Sequence, residues 1–258
     1  MLTKNKKMLI ERLKARKGRL RESLVLVEGV RCVSEALISD IKFRFVVCSP
    51  RLLNTKAGRD LAIEISNRGI ISEEVDDYNF DKLASTEHPQ GVLLVCEEPK
   101  QKLLEFSGLS NQRVMILDGI QDPGNFGTLI RTARGFGVSL LIALDGSVDP
   151  WNSKTVRASS GAIFHVDIVP APWDEVYTWL SNNKVKIIVA DSDGQDVSEV
   201  IPALPWALVV GNEGAGLRSE ILSSATHRIA IPMDLGLESF NVGVAGSILL
   251  YALTTQVR

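Results

Sequence analysis

The chain has 258 residues, of which 45% are apolar and 23% are charged, and its formal net charge is −2. This is the composition of an ordinary globular protein, long enough for two domains or one large one. No run of about 18 apolar residues occurs, so we expect no transmembrane helix. The charged N-terminus lacks the apolar segment of a secretory signal.

The cysteines and histidines do not form a metal-binding or catalytic pattern. The three cysteines are dispersed and lie in apolar settings: Cys32, Cys48 and Cys96. Buried free thiols in a reducing compartment are therefore expected, with no metal site. Two compartments fit: the cytoplasm of a bacterium or, because the basic N-terminus resembles part of a targeting segment, a chloroplast or mitochondrion.

Residues 1–24 form a basic arm. They hold nine lysines and arginines against two acids, Glu11 and Glu22, a local balance of 9 − 2 = +7. The ordinary interpretation is a solvated, partly helical arm. The functional interpretation is an arm that binds phosphates, since lysine and arginine release counterions from a nucleic acid. In a chain of net charge −2 this asymmetry favours a nucleic-acid partner.

Strand and helix patterns alternate along the chain in two blocks. In the first block strands are predicted at 24–29, at 43–48, starting at 70–71 and at 92–96, and helices at 30–39, 58–68 and 76–83. In the second block strands are predicted at 114–117, 140–144, 164–169, 185–190, 208–210 and 229–231, and helices at 125–136, after 152, at 173–181, 217–225 and 242–253. This alternation predicts two α/β domains, 1–97 and 113–258, joined by the polar, breaker-rich linker 98–112.

The last helix, 242–253, has no charged residue and carries small residues in its first turns. Gly243 and Gly246 cost such a helix about 1 kcal/mol each, so something must approach its backbone closely. Another helix, another subunit and a ligand are the three possibilities, and periodicity alone favours packing in a tight core. Ser239 and Asn241 stand where the helix begins and are good N-caps.

Three loops follow the carboxyl ends of predicted strands, at 118–125, 211–216 and 232–241. Ligands bind at such ends in open α/β sheets. Gly211, Gly214 and Gly216 have the spacing G-x-x-G-x-G, the reverse of the dinucleotide fingerprint, which disfavours nicotinamide binding. A glycine-rich loop also lets a backbone approach an adenosine or another chain segment. An ordinary turn would leave Glu213 unexplained.

These loops together resemble the three signature motifs of the SpoU (TrmH-type) RNA ribose 2′-O-methyltransferases of the SPOUT superfamily. The matching segments are 117–133, 208–217 and 231–242, and 149–162 matches the intermediate segment of the family. The resemblance covers roughly residues 113–256. Residues 27–29 and 90–92 are similar to parts of the family's ribosomal-protein-like substrate-binding domain.

The resemblance implies a C-terminal α/β domain with a parallel sheet and a C-terminal trefoil knot, preceded by a small α/β domain that binds the RNA substrate. It implies S-adenosylmethionine as cofactor, bound in a bent form by residues of the knot. The implied cofactor-binding residues are Gly211, Ile231, Phe240, Asn241 and Val242. It also implies a homodimer with the site near its interface, which would account for the small residues of the last helix.

The resemblance also implies that Arg131 is the catalytic arginine. The implied polar site is completed by Asn125, Glu213, Ser239 and Asn241. Arg131 follows Asn125 by about 600° of helix, so the two share no face unless Asn125 is the cap. A guanidinium stays charged and is a poor base, which favours a role in binding the adjacent phosphate and positioning the ribose hydroxyl. Much of the rate would come from this alignment.

The predicted function is therefore 2′-O-methylation of a ribose in structured RNA, with ribosomal RNA favoured over transfer RNA by the two-domain layout. The alternatives are a transfer RNA ribose methyltransferase, a non-catalytic RNA-binding assembly factor and a nicotinamide-dependent enzyme. The intact set of five polar site residues argues against the assembly factor. No membrane partner is expected.

Overall fold

The computed structural model describes residues 2–107, 112–234 and 239–255. The helices are α1 Lys4–Leu13, α2 Arg16–Glu22, α3 Val30–Leu37, α4 Lys56–Asn67, α5 Asp77–Leu83, α6 Pro123–Gly135, α7 Ser153–Ala158, α8 Trp173–Asn182, α9 Ser219–Ser224 and α10 Val242–Thr255. The strands are β1 Leu24–Glu28, β2 Phe43–Cys48, β3 Ser72–Glu74, β4 Val92–Glu97, β5 Arg113–Leu117, β6 Leu140–Ala143, β7 Asp167–Pro170, β8 Lys186–Asp196, β9 Trp206–Val210 and β10 His227–Ala230.

The chain divides into two compact units. The first unit is Met1–Pro99 with Trp151–Phe164, and the second is Lys100–Pro150 with His165–Arg258. The segment that contains α7 thus packs with the N-terminal part of the chain. The division into 1–97, 98–112 and 113–258 stays a prediction, and residues 108–111 of the proposed linker lie outside the described residues.

The first unit is built on a four-stranded sheet in the order β1-β4-β2-β3. Strand β4 is antiparallel to β1 and β2, while β3 is parallel to β2. The strand predicted to start at Ile70 and Ile71 is β3, which starts at Ser72 instead because the amide of Ile70 donates to the carbonyl of Ile65 and ends α4 (3.3 Å). The carbonyl of Ile71 nevertheless accepts from the amide of Val46 on β2 at 2.8 Å.

The basic N-terminal segment is ordered as two helices that pack on this sheet. Ile10 and Leu13 are buried in one apolar cluster with residues of β1, β2 and β4. The buried guanidinium of Arg19 donates to the carbonyls of Leu13 and Lys14 (3.0 and 3.1 Å) and so completes the end of α1. The interpretation as a solvated arm is therefore wrong for the face of α1 that carries Ile10 and Leu13, since burial of this face stabilises α1. On α2, Leu20 is exposed.

The second unit is built on a six-stranded sheet in the order β10-β8-β9-β5-β6-β7, and every pair is parallel. This confirms the predicted parallel α/β architecture, whereas the trefoil knot stays a prediction. Strands β5 and β9 are neighbours at the centre, with Leu117 opposite Val210. The loops that follow them therefore start side by side.

Several strand boundaries in the second block differ from prediction: β9 begins at Trp206 and β10 at His227, each two residues earlier than predicted, and β7 and β8 differ as well. The first residues of the predicted strand 164–169 are a 3-10 turn, because the amide of Phe164 donates to the carbonyl of Gly161 (3.1 Å), and β7 begins only at Asp167. Strand β8 runs to Asp196 because it pairs with β10 a second time after a register shift.

Helix α10 packs against α6 and β9. A Cβ atom on Gly246 would lie 2.5 Å from Cδ2 of Leu129 and 3.4 Å from Cε of Met115. At this glycine, the close neighbour is therefore a helix and the sheet of the same chain. No described helix is long and apolar enough to cross a membrane.

All three cysteines are free, as predicted, and Cys32 and Cys96 are buried while Cys48 is half-buried. Burial raises the pKa of Cys32 to about 11 and raises the pKa values of Cys48 and Cys96. These thiols are therefore protonated and weakly nucleophilic at neutral pH.

Candidate active site

A chain of side-chain hydrogen bonds connects the three loops at the carboxyl ends of the strands. Nδ2 of Asn125 donates to Oε1 of Glu213, and Nδ2 of Asn241 donates to Oδ1 of Asn125, each at 2.9 Å. The three residues are 88 and 116 positions apart in sequence. The structure thus brings together three of the five residues proposed for the polar site.

The start of α6 places Asn125 in this chain of hydrogen bonds. Pro123 occupies the first turn, where its missing amide hydrogen is not needed. Oδ1 of Asp122 caps the helix by accepting from the amide of Asn125 at 2.8 Å. Asn125 is therefore inside the first turn, so the predicted helix start at Asn125 is two residues late.

Arg131 lies outside the hydrogen-bonded chain. Because Asn125 is helical rather than the cap, the six-residue spacing turns Arg131 about 600° away from it. Arg131 is exposed, and the described residues offer its guanidinium neither a hydrogen bond nor an ion pair. Its catalytic role stays a prediction, as does that of Ser239, which is exposed and has no described side-chain partner.

Asn241 is the N-cap of α10, as its residue type and position predicted. Its Oδ1 accepts from the amides of Gly243 and Val244 at 3.0 and 3.3 Å. A Cβ on Gly243 would lie 3.2 Å from this oxygen and 3.4 Å from Oδ1 of Asn125. Glycine at 243 therefore leaves room for the amide contact between Asn125 and Asn241.

The glycine-rich loop is shaped by Asn212, which the sequence reasoning did not single out. Its Nδ2 donates to the carbonyl of Gly119 (2.7 Å), and its Oδ1 accepts from the amides of Gly214 and Ala215 (both 2.9 Å). Asparagine commonly bonds to amides two and three residues on in such turns, and this preference was the available signal.

Gly211 is required by the closing of this loop. A Cβ there would lie 2.6 Å from the carbonyl carbon of Gly216, a backbone contact that no side chain could relieve. The loop closes through paired backbone bonds between Asn212 and Gly216 at 3.1 and 3.0 Å. The sequence left open whether the loop backbone approaches an adenosine or another chain segment, and at Gly211 the close approach of another chain segment is observed.

Asp118 fixes the far end of the same loop and was also missed. It directly follows β5, is 3% exposed, and accepts from the amide and Nε of Arg218 at 3.1 and 2.8 Å. Charge-assisted bonds of this kind are about twice as strong as neutral ones. A charged residue directly after a fully apolar strand was the sequence signal for this contact.

The residues proposed to bind a cofactor differ in their free backbone amides and in the exposure of their side chains. Within the described ranges, the amides of Gly211 and Ile231 donate to no backbone carbonyl outside the strand ladders. Phe240 is 36% exposed, whereas Val242 is buried at 9%. The loops therefore include main-chain donors and one partly exposed aromatic ring, and the roles of these residues in binding stay predictions.

Comparison with protein families finds two matches. Residues 112–251 match the family model of the SpoU rRNA Methylase family, and residues 5–94 match that of an MRM3-like substrate binding domain. The two matches together span most of the chain.

Similar proteins are found in bacteria and in mitochondria. The 23S rRNA (guanosine(2553)-2′-O)-methyltransferase RlmP of Bacillus subtilis is 32% identical, covering 94% of this chain and 93% of its own. The rRNA methyltransferase 3, mitochondrial, of Xenopus tropicalis is 26% identical, covering 95% and 73%. The crystal structure of an AdoMet-bound rRNA methyltransferase from Sinorhizobium meliloti superposes with a TM-score of 0.87 at 27% identity, covering 100% and 97%.

The contact between Asp118 and Arg218 gives a test of this architecture. We expect Asp118→Asn to lower the free energy of unfolding by about 1–3 kcal/mol. The two donors of Arg218 contact different oxygens of Asp118, and an amide keeps only one of these acceptors. The matched control is Glu220→Gln, which removes the exposed partner of the same arginine (3.3 Å) and should change stability little. Urea unfolding followed by circular dichroism measures both, and equal effects would contradict the assignment.

Proposed function

We propose a function on the premise that this chain belongs to the SpoU rRNA Methylase family. The proposed function is methylation of a ribose 2′-hydroxyl of ribosomal RNA with S-adenosylmethionine. The observation that carries the proposal is the hydrogen-bonded chain of Glu213, Asn125 and Asn241, which joins all three motif loops. Relatives along nearly the whole chain are named as ribosomal RNA 2′-O-methyltransferases or methyltransferases.

The loops fit the cofactor. Amides of Gly211 and Ile231 that are left unpaired by the described backbone can donate to the acceptor edge of an adenine. Phe240 offers a partly exposed ring, and Val242, two residues later, is buried at the start of α10. We therefore assign cofactor binding to Gly211, Ile231, Phe240, Asn241 and Val242. The cofactor supplies the methyl group on a sulfonium, which departs as a neutral thioether.

We assign to the side chains of this protein the task of aligning the nucleophile, the ribose 2′-hydroxyl. In the transfer, a bond forms between the ribose oxygen and the methyl carbon, the carbon–sulfur bond breaks, and the hydroxyl proton leaves. Arg131 is exposed and has no described partner, so its planar fork is free to hold an RNA phosphate bidentately. Because its guanidinium stays charged, Arg131 positions the hydroxyl and does not act as the base. The adjacent RNA phosphate shares in taking up the proton.

Glu213 and Ser239 complete the assigned site. The carboxylate of Glu213 is exposed and is oriented by Asn125 through one oxygen. Among the described contacts its second oxygen is free to accept from a hydroxyl. Ser239 is exposed just before the cap residue Asn241 and can donate or accept. Asn125 and Asn241 serve mainly to hold these groups at fixed distances.

We further propose a homodimer in which α10 takes part. Val244 and Tyr251 are 46% and 56% exposed. They are seven residues apart and lie on one face of the helix, since seven residues make nearly two full turns. Exposed apolar residues aligned in this way are typical of a protein interface.

The dimer is tested by mass in solution. The chain has a mass of 28.2 kDa, and we expect about twice this mass by light scattering for the unchanged protein. Val244→Asp should give the monomer mass, because it would bury a charge in the interface. Ile63→Asp, at an exposed apolar residue of α4 in the first unit, should leave the dimer intact. A Val244→Asp dimer would contradict the assigned interface.

The reaction is tested by transfer of labelled methyl to ribosomal RNA that lacks its modifications. Arg131→Ala should lower kcat by about 100-fold, since misplacing the nucleophile by about 1 Å has an effect of this size. Arg131→Lys should also be impaired, because it keeps the charge but loses the fork. Near-full activity of Arg131→Lys would contradict the phosphate-positioning role. Arg134→Ala, one turn further along α6, is the matched control and should stay close to wild type.

Alkaline hydrolysis of the product identifies the modified atom. A 2′-O-methyl group removes the hydroxyl that cleaves the neighbouring phosphodiester, so the label should appear in resistant dinucleotides. Label in mononucleotides would instead indicate methylation of a base. Bound RNA without any label would favour the non-catalytic assembly factor, and label in transfer RNA alone would reassign the substrate.

A further inference from the structure

The first unit contains a small polar pocket that the proposed methyl-transfer site does not use. Its volume is about 280 Å³. The residues that matter for its chemistry are Glu28, Arg31, His88, Gln90, Arg157 and Ser160. They come from the end of β1, the start of α3, the loop before β4, the last turn of α7 and the residues that follow it, which all belong to the first unit.

Glu28 anchors the floor of this pocket. Its side chain is 3% exposed, and both carboxylate oxygens are already engaged. Oε2 accepts from the amide of Ser85 at 2.8 Å, and Oε1 accepts from the hydroxyl of Thr86. A buried carboxylate also attracts a cation, and Nη1 of Arg157 lies 3.9 Å from Oε2. Glu28 thereby holds Arg157 in the pocket.

The guanidinium of Arg157 is left with unused donor capacity. A separation of 3.9 Å is an ion pair and is too long for a hydrogen bond. Nη1 of Arg157 is buried and has no hydrogen-bond acceptor among the described residues. A buried donor without an acceptor is unfavourable, so an anionic oxygen entering the pocket would relieve it.

The other lining residues suit an anion as well. Arg31 is exposed at the start of α3. Arg31 and Arg157 both lie near Cys32, where their charges oppose the burial that raises the pKa of this thiol. Gln90 is fixed because its Oε1 accepts from the amide of Val30 at 2.8 Å, which leaves its amide hydrogens available. Two arginines thus line the same pocket as one carboxylate whose oxygens are occupied.

Two further observations concern the surroundings of this pocket. Ser160 has φ 51°, a left-handed conformation that is uncommon for residues other than glycine and often marks a functional position. Arg31 and Gln90 also line a neighbouring cavity of about 740 Å³ that extends to Asn54 and Thr55. The pocket and this larger cavity therefore share Arg31 and Gln90 in their walls.

We propose that this pocket binds a phosphate of the substrate RNA, with Arg157 and Arg31 as donors. The proposal rests on the proposed function for the identity of the polymer. Arg157 is held from below by Glu28 and contacts the phosphate deep in the pocket, while Arg31 contacts it from the rim. The larger cavity, which shares Gln90 with the pocket, receives the adjoining nucleotides.

The test measures RNA affinity without methyl transfer. The full-length protein is titrated with an unmodified transcript of 23S rRNA by filter binding at several salt concentrations. Arg31→Gln should raise the Kd about tenfold, which is the effect of losing one charged hydrogen bond. It should also reduce the slope of log K against log salt by about 0.7–0.9, as expected for one lost phosphate contact. Arg44→Gln, at an exposed arginine on β2, is the matched control and should change neither value.

A second variant guards against an effect on folding. The double substitution Glu28→Gln with Arg157→Gln removes both buried charges together and should lower RNA affinity at least as much as Arg31→Gln. Circular dichroism checks that the variant is folded. Wild-type Kd and salt slope in Arg31→Gln would overturn the proposal, as would a wild-type protein that does not bind this RNA.

The remaining outcomes separate this pocket from the methyl-transfer site. At saturating RNA the kcat of Arg31→Gln should equal that of wild type while its KM for RNA rises. If the wild type binds rRNA but transfers no methyl group, the proposed function fails and the Kd comparison still decides the pocket. Thermal stabilisation of wild type but not Arg31→Gln by inorganic phosphate, with an unchanged Kd for RNA, would assign the pocket to a free anion and overturn the RNA assignment.

Discussion

The side-chain amide of Asn125 is the contact on which the candidate active site depends. It donates to Glu213 and accepts from Asn241, so one residue of α6 connects the loops after β9 and β10. Parallel strands bring the ends of β5 and β9 together, and these two bonds link the side chains of Glu213, Asn125 and Asn241 beyond the sheet. An amide suits this position because its nitrogen donates to one partner while its oxygen accepts from the other. An ionised carboxylate can only accept, and a hydroxyl must do both through a single oxygen atom.

The same part of the molecule explains why several residues are small. Gly211 meets the backbone of Gly216, Gly243 faces Asn125, and Gly246 faces Leu129 on α6. Each glycine allows two segments of one chain to approach more closely than a side chain permits. The small residues of α10 therefore need no second subunit to explain them, and the dimer proposal relies on the exposed Val244 and Tyr251 instead.

The sequence predicted the alternation of strands and helices, the parallel C-terminal sheet and the cap at Asn241, because these depend on local periodicity and residue type. It also named Asn125, Glu213 and Asn241, through a resemblance of ordered motifs. It missed Asp118 and Asn212, whose partners are distant in sequence, and it did not foresee that α1 buries Ile10 and Leu13 against the first sheet. Long-range pairing of polar groups leaves little periodic signal in a single sequence.

The most direct test of the central claim is the affinity for S-adenosylmethionine, measured by calorimetry, when the bond between Asn125 and Glu213 is broken and rebuilt. Asn125→Asp places two carboxylates together, and we predict that the Kd rises about tenfold or more. Adding Glu213→Gln supplies a donor to the new carboxylate and should restore most of the affinity. A wild-type Kd for Asn125→Asp, or no recovery in the double variant, would contradict a cofactor site held together by this contact.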